Sequence, residues 1–309
     1  MKQVRHVGIV GGGLIGMSWA SLFLARGMSV TVVDPDPDTT ARLSDFVSAA
    51  WPNLLTLGLA EQEAPPQAEV SSNLGALEGV DFVQENGPDR IEIKRDLVSG
   101  IEAVVERDVI IASSTSSLMA SDIQARASVP GRILVAHPMN PPHLVPMVEL
   151  VGGRQTAPET IDRADAFYTH MRRVTIRVQK ELPGHLANRL TSALYREAVY
   201  LVAEGVASVA DVDRAIAYGP GMRWAFMGPH LTYHLGGGVG GYRHYLDHLG
   251  PTQEARWAAL GTAALTDDLK DRLVAGVAAE LAETDQDSLV QRRDAALVEL
   301  VRLKTQHGL

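Results

Sequence analysis

The stretch Gly11-x-Gly13-x-x-Gly16 limits what this chain can fold into more than any other. It follows an apolar, β-branched run at 4–10 and opens a second run that Gly27 closes. Lys2 and Arg5 ahead of an uncharged stretch at 7–25 imitate a signal peptide or a short membrane helix. Four glycines within residues 11–16 oppose that reading, because each weakens a continuous helix by about 1 kcal/mol. The pattern predicts a strand at 4–10, a tight turn and a helix over 14–26. In such a unit the first glycine permits the turn and the second lets backbone approach a pyrophosphate. The third lets helix and strand pack closely, and the helix start presents free N–H groups and a positive dipole. Asp34 ends the next apolar run, eighteen residues beyond Gly16, where a carboxylate can accept from a ribose 2′-hydroxyl. It would repel a 2′-phosphate, and no Lys or Arg follows until Arg42, so the expected cofactor is NAD rather than NADP.

Further β-branched runs at 29–33, 80–83, 109–111, 133–136, 148–151 and 174–178 alternate with helical stretches, one of them at 39–60. That alternation predicts a mainly parallel sheet with helices on both faces. After Leu182-Pro183-Gly184 the period changes. Leu186, Leu190, Leu194 and Ala198 form one helical stripe that Gly205 closes, and Ser208 with Asp211 makes a capping box for a helix to about 218. Amphipathic stretches at 269–281 and 289–303 follow. The expected fold is α/β: a Rossmann-type doubly wound sheet over 1–184 and an all-helical domain over 185–309. A length of 309 residues with 46% hydrophobic and 21% charged residues suits two globular domains.

A net charge of −9 without a basic run excludes broad phosphate-backbone binding, so nucleic acid is not an expected partner. The absence of cysteine removes disulfides, thiolate zinc sites and a cysteine nucleophile, and favours a reducing compartment. With no other stretch apolar enough to span a bilayer, a cytoplasmic protein is expected.

Candidate chemistry gathers at predicted strand ends. One strand ends in His137-Pro138-Met139-Asn140-Pro141-Pro142, Glu149 lies in the next, and Ser113-Ser114-Thr115-Ser116-Ser117 follows an earlier one. Taken singly, His137 could be a turn residue, Ser116 a helix cap and Glu149 a solvated strand position. Together they supply what alcohol oxidation requires. A base must remove the hydroxyl proton, a carboxylate can hold the imidazole's tautomer, and neutral donors must polarise the oxygen.

With these residues in place, the chain resembles the 3-hydroxyacyl-CoA dehydrogenase superfamily. The resemblance rests on the glycine turn, Ser116-Ser117-Leu118, His137-x-x-Asn140-Pro141, Glu149 and Pro183-Gly184-x-x-x-Asn188-Arg189, and covers residues 4 to about 230. It implies that His137 is the general base and Glu149 its partner, with Ser116 and Asn188 at the substrate oxygen and Asn140 in support. It also implies that Gly11, Gly13, Leu14, Ile15, Gly16, Asp34, Glu85 and Lys94 bind NAD, and that the helical domain forms a homodimer. Acyl-CoA enzymes of the superfamily carry lysines after the second strand, whereas 35–67 here has one Arg, no Lys and five acids. That is a poor surface for a polyanion. The segment 219–229, with Trp51-Pro52 and His137-Pro138, is instead similar to the branch of L-carnitine dehydrogenases, L-gulonate 3-dehydrogenases and lambda-crystallins, the first being nearest. The implied reaction is NAD-dependent oxidation of a small 3-hydroxy acid, L-carnitine-like or L-gulonate-like. A short-chain acyl-CoA substrate and a non-catalytic crystallin-like role are the alternatives.

Arg223 is the candidate grip for a substrate carboxylate, since a guanidinium can hold one bidentately. An ion pair at a dimer interface is the competing reading. Trp224, Phe226 and Tyr233 could line a cation or simply pack. His230/His234 and His244/His248 are i,i+4 pairs of the kind that bind zinc. Hydride transfer to NAD needs no metal, and none is expected.

Overall fold

The central strands of the first half are short apolar runs because they lie in the interior of one sheet. The computed structural model describes residues 3–282 and 285–309, and the chain divides into two compact units, Met1–Arg189 and Leu190–Leu309. The strands are β1 (His6–Val10), β2 (Ser29–Val33), β3 (Glu69–Ser71), β4 (Phe82–Glu85), β5 (Ile110–Ser113), β6 (Ile133–Pro138), β7 (Met147–Gly152) and β8 (Val174–Val178). They form an eight-stranded sheet in the order β3-β2-β1-β4-β5-β6-β7-β8. The strand order reverses between β1 and β4, the place where doubly wound sheets open a ligand crevice at their carboxyl ends.

The helices of this unit are α1 (Leu14–Ala25), α2 (Thr39–Thr56), α3 (Ile91–Glu102), the single turn α4 (Ala120–Ile123) and α5 (Pro158–His170). Two apolar clusters hold the layers together. One joins Trp19, Phe23, Phe82, Phe167 and Tyr168, and the other joins Val83, Val98, Ile101, Ile111 and Val135.

The pairing is parallel except at β6 and β7, which run antiparallel with His137 directly opposite Glu149. The connection between them is too short to carry a crossover helix, so the chain must return antiparallel. Helix α2 stops at Thr56 rather than at 60, because Gly58 adopts φ +63° and turns the chain out of the helix. The strand β3 escaped the sequence reading, being three residues with no buried side chain.

The second unit is helical: α6 (Ala187–Ala203), α7 (Val209–Tyr218), α8 (Pro220–Trp224), α9 (Pro229–Gly236), α10 (Gly241–Ala259), α11 (Asp267–Glu280) and α12 (Gln286–His307). Ser208 caps α7 by accepting from the Asp211 amide, as its spacing predicted. The glycines at 236–241 make a single 3₁₀ turn, Gly238–Gly240, between α9 and α10. Among the described residues, no helix is long and apolar enough to cross a membrane.

Candidate active site

The β1–α1 turn is shaped for a dinucleotide. Gly11 has φ +97°, and a Cβ there would strike the Asn86 carbonyl at 2.7 Å. A Cβ on Gly16 would land on the Gly11 carbonyl oxygen, whereas one on Gly13 would meet nothing within 4 Å. Gly13 is also the N-cap of α1, and no side chain caps the helix start there. An open approach to uncapped N–H groups is what a pyrophosphate requires. Leu14 is exposed and Ile15 lines the adjoining cleft. Asp34, just beyond β2, accepts from Gly12 N at 2.6 Å through Oδ2 and from Asp36 N at 2.9 Å through Oδ1. It therefore stands beside the glycine turn, at the sheet edge where an adenosine ribose would lie. The residues present fit NAD.

The cleft of about 400 Å³ next to this turn is lined by Ile15, Asp89, Ser116, His137, Asn140 and Asn188 among others. His137 reaches it from the end of β6. Its Nδ1 lies 2.7 Å from Glu149 Oε2, and both residues are buried. The other oxygen of Glu149 accepts from Leu186 N and Ala187 N, both at 2.8 Å, at the start of α6. Burial alone would push the Glu149 carboxyl up. The hydrogen bonds from His137 and from the two amides outweigh it and hold the group below the ordinary glutamate value. An ionised carboxylate accepts only, so the His137 proton sits on Nδ1 and leaves Nε2 as a lone-pair acceptor.

Ser116 donates through both its amide and its hydroxyl to Asp89 Oδ2 at 3.1 Å, and its carbonyl accepts from Asn188 Nδ2 at 3.2 Å. Asp89 thus fixes where the Ser116 hydroxyl stands at the cleft. Burial pushes the Asp89 carboxyl up, but hydrogen bonds from Thr115 and Ser116 and the nearby Lys94 charge hold it below the usual aspartate range.

Lys94 is buried and fully engaged, by both Glu85 oxygens at 3.0 and 2.9 Å and by the Gly87 carbonyl at 2.8 Å. Asp89 lies 3.5 Å from the same ammonium. Lys94 does line the cleft, but Glu85 is wholly buried beneath it and also receives Ser113 Oγ at 2.6 Å. Glu85 is thus the counter-ion that anchors Lys94 and the 87–89 turn, and the acid at the cleft is Asp89. Sequence reasoning missed Asp89, which lies five residues before Lys94. It also missed His185, which sits at an unspecified position of the Pro183-Gly184 motif.

The residues of the chain match the NAD-binding domain of 3-hydroxyacyl-CoA dehydrogenase over 6–182 and its C-terminal domain over 184–280. The chain belongs to the 3-hydroxyacyl-CoA dehydrogenase family. It is an NAD-dependent oxidoreductase. This dehydrogenase is 45% identical to an L-carnitine dehydrogenase of Streptomyces griseus, covering 97% of this chain and 90% of that one. It is 41% identical to an L-carnitine dehydrogenase of a Pseudomonas species, covering 100% and 98%. Among solved structures, an NAD⁺-dependent 5-formyl-3-hydroxy-2-methylpyridine 4-carboxylic acid 5-dehydrogenase superposes with a TM-score of 0.82 at 28% identity, covering 97% and 98%. A (S)-3-hydroxybutyryl-CoA dehydrogenase of Ralstonia eutropha gives 0.65 at 27% identity, covering 75% and 82%.

The remaining candidates of this dehydrogenase lie in its second unit. Arg223 stands in the last turn of α8, exposed, and its guanidinium forms no ion pair with the described residues. Trp224 ends the same helix and is partly exposed. His230 Nδ1 pairs with the Tyr242 hydroxyl at 2.8 Å, and His234 Nδ1 accepts from Tyr242 N at 3.1 Å. His244 and His248 stack along α10 with ring centres 5.8 Å apart. Tyr233 stacks on Tyr245 at 4.5 Å, so that ring is engaged in packing.

Proposed function

We propose that this dehydrogenase oxidises the hydroxyl of a small free 3-hydroxy acid, of the L-carnitine kind, to the 3-keto acid, with His137 as general base. The observation that carries the reading is the buried His137–Glu149 pair at 2.7 Å, opening onto a cleft beside the glycine turn. Nε2 takes the hydroxyl proton while the Glu149 carboxylate, itself held by two amides, stabilises the imidazolium that forms. Bound NAD supplies the acceptor for the hydride that leaves the same carbon. Ser116 lies beside the substrate oxygen, and Asn188 braces the Ser116 carbonyl. The alcohol thus loses one proton to His137 and one hydride to the cofactor, and a carbon–oxygen double bond results.

The names of the relatives support an L-carnitine-like substrate, and so does the acidic segment at 35–67, which disfavours the phosphates of CoA. The L-gulonate-like reading rests on the branch resemblance alone, and the intact dyad argues against a purely crystallin-like role. Among the described residues of the first unit, the cationic side chain at the cleft is Lys94, already saturated by Glu85 and Gly87. The candidate grip for a substrate carboxylate remains Arg223, exposed and without an ion pair to the described residues.

The test is NADH formation with L-carnitine, L-gulonate, 3-hydroxybutyrate and 3-hydroxybutyryl-CoA in parallel. The highest kcat/KM is expected for L-carnitine or a close analogue. Preference for the thioester would replace the free-acid reading with the acyl-CoA one.

A further inference from the structure

Behind the dyad lies a second histidine that the reaction just described leaves idle. His185 is buried, and its ring centre is 5.3 Å from that of His137. Its Nε2 donates to the Thr115 carbonyl at 3.1 Å, while its Nδ1 is buried with no hydrogen-bond partner. Gly184 and His185 both lie in the left-handed region, at φ +78° and +50°. A left-handed histidine is uncommon, and persists only where surrounding bonds over-determine it. The turn they make carries the His185 ring inward and brings the Leu186 and Ala187 amides to Glu149.

A phenyl ring would fill the same space without stranding a buried nitrogen, and stranded polar atoms in a native fold call for a reason. The reason is in the bond that His185 makes. Thr115 C=O and Ser116 N–H belong to one peptide group. His185 holds its oxygen, and Asp89 holds its N–H at 3.1 Å. Asn188 then holds the next carbonyl, that of Ser116. Two successive peptides are thus fixed from three sides, and the Ser116 hydroxyl has one place to be.

We propose that His185 is a positioning residue for hydroxyl oxidation, clamping the Thr115–Ser116 peptide so that Ser116 meets the substrate oxygen at the cleft where His137 takes its proton. The inference rests on the dyad reading above. Neutrality suits this role, because a charge on His185 would oppose the imidazolium forming next to it. Burial lowers the His185 pKa, the Thr115 carbonyl raises it, the neighbouring His137 lowers it again, and the carboxylates of Glu149 and Asp89 raise it; the net direction is down.

The experiment compares His185→Phe and His185→Gln in the full-length enzyme, with His137→Ala alongside. The phenyl ring keeps the packing and removes the donor, whereas the glutamine amide can still reach the carbonyl. His185→Phe is expected to lower kcat by about 10–100-fold, the scale of a small misplacement of reacting groups. NAD affinity, read by fluorescence titration, should stay at the wild-type value. His185→Gln should restore most of the rate and keep the wild-type acid limb of the kcat/KM profile. Wild-type turnover in His185→Phe would overturn the proposal. So would a glutamine variant as slow as the phenylalanine one, which would make the role one of packing. Loss of the acid limb in His185→Gln would overturn it too, by making His185 itself the base. The dyad reading fails separately, if His137→Ala keeps its turnover.

Discussion

Glu149 uses its two oxygens for different partners, and a single substitution sets them against each other. In Glu149→Gln the amide has one acceptor and one donor, but it faces His137 Nδ1–H on one side and two backbone N–H groups on the other. One side is mismatched whichever way the amide turns. We expect kcat to fall by about 10²–10⁴-fold, the usual worth of general-base help, with NAD affinity unchanged. Stability should change with a definite sign. The folded value of Glu149 is depressed, so its contribution is present above the unfolded-chain value of about 4.3 and is lost as pH falls through the lower folded value. The gap in Tm between wild type and Glu149→Gln, measured from neutral to acid pH, should therefore close only in that acid range. A gap that stayed constant there would remove the ionised carboxylate from the account. At this scale His137, Glu149 and Asn188 were legible because each stands in a motif. His185 was not, because its role comes from a left-handed turn that a list of residue types does not encode. Of Glu85 and Asp89, both ahead of Lys94, spacing alone could not say which faces the cleft. Glu85 ends a buried strand and points inward, while Asp89 sits in the turn beyond it.

The turn between β1 and α1 separates two uses of glycine that look alike in sequence. At Gly16 an added methyl would collide with the Gly11 carbonyl oxygen, and at Gly13 it would meet no protein atom within 4 Å. Gly16→Ala should lower Tm and solubility together with NAD binding. Gly13→Ala should keep the wild-type Tm and yet weaken NAD in a fluorescence titration, since its methyl occupies the approach to the pyrophosphate. Equal loss of Tm in both would mean that Gly13 serves packing alone. The strands at 29–33 and 174–178 and the cap at Ser208 could be read from the chain because each obeys a local rule. Helix α10 could not. It contains Pro251 and Gly250, and local propensity counts both against a helix. The antiparallel return at β7 follows from the length of a connection, a quantity that apolar periodicity does not carry.

The two units differ in how much apolar surface they hide. The first has two dense clusters, while among the described residues of the second only Val199, Tyr245, Leu269 and Val298 are buried hydrophobic side chains. Leu190, Tyr195, Leu231, Leu235, Trp257 and Val274 are exposed. So small a core is marginal for a unit of this length, and small domains with too little buried surface are commonly completed by oligomerisation. We infer that a second copy of the chain covers these helices. Light scattering should return about twice the 33.2 kDa of one chain, and a monomer at micromolar concentration would refute the inference. Arg223 belongs to the same helical unit, and Arg223→Met should raise KM for the free acid while NAD affinity stays as it was. Unaltered kinetics would remove Arg223 from substrate binding. Lysine there should recover only part of the loss, because an ammonium lacks the planar fork. A core completed by a neighbour would also tie the enzyme to mass action. Its Tm should climb as the protein is concentrated, and its activity per chain should fall on extreme dilution, so that a turnover number for this dehydrogenase would be a property of the concentration at which it was assayed.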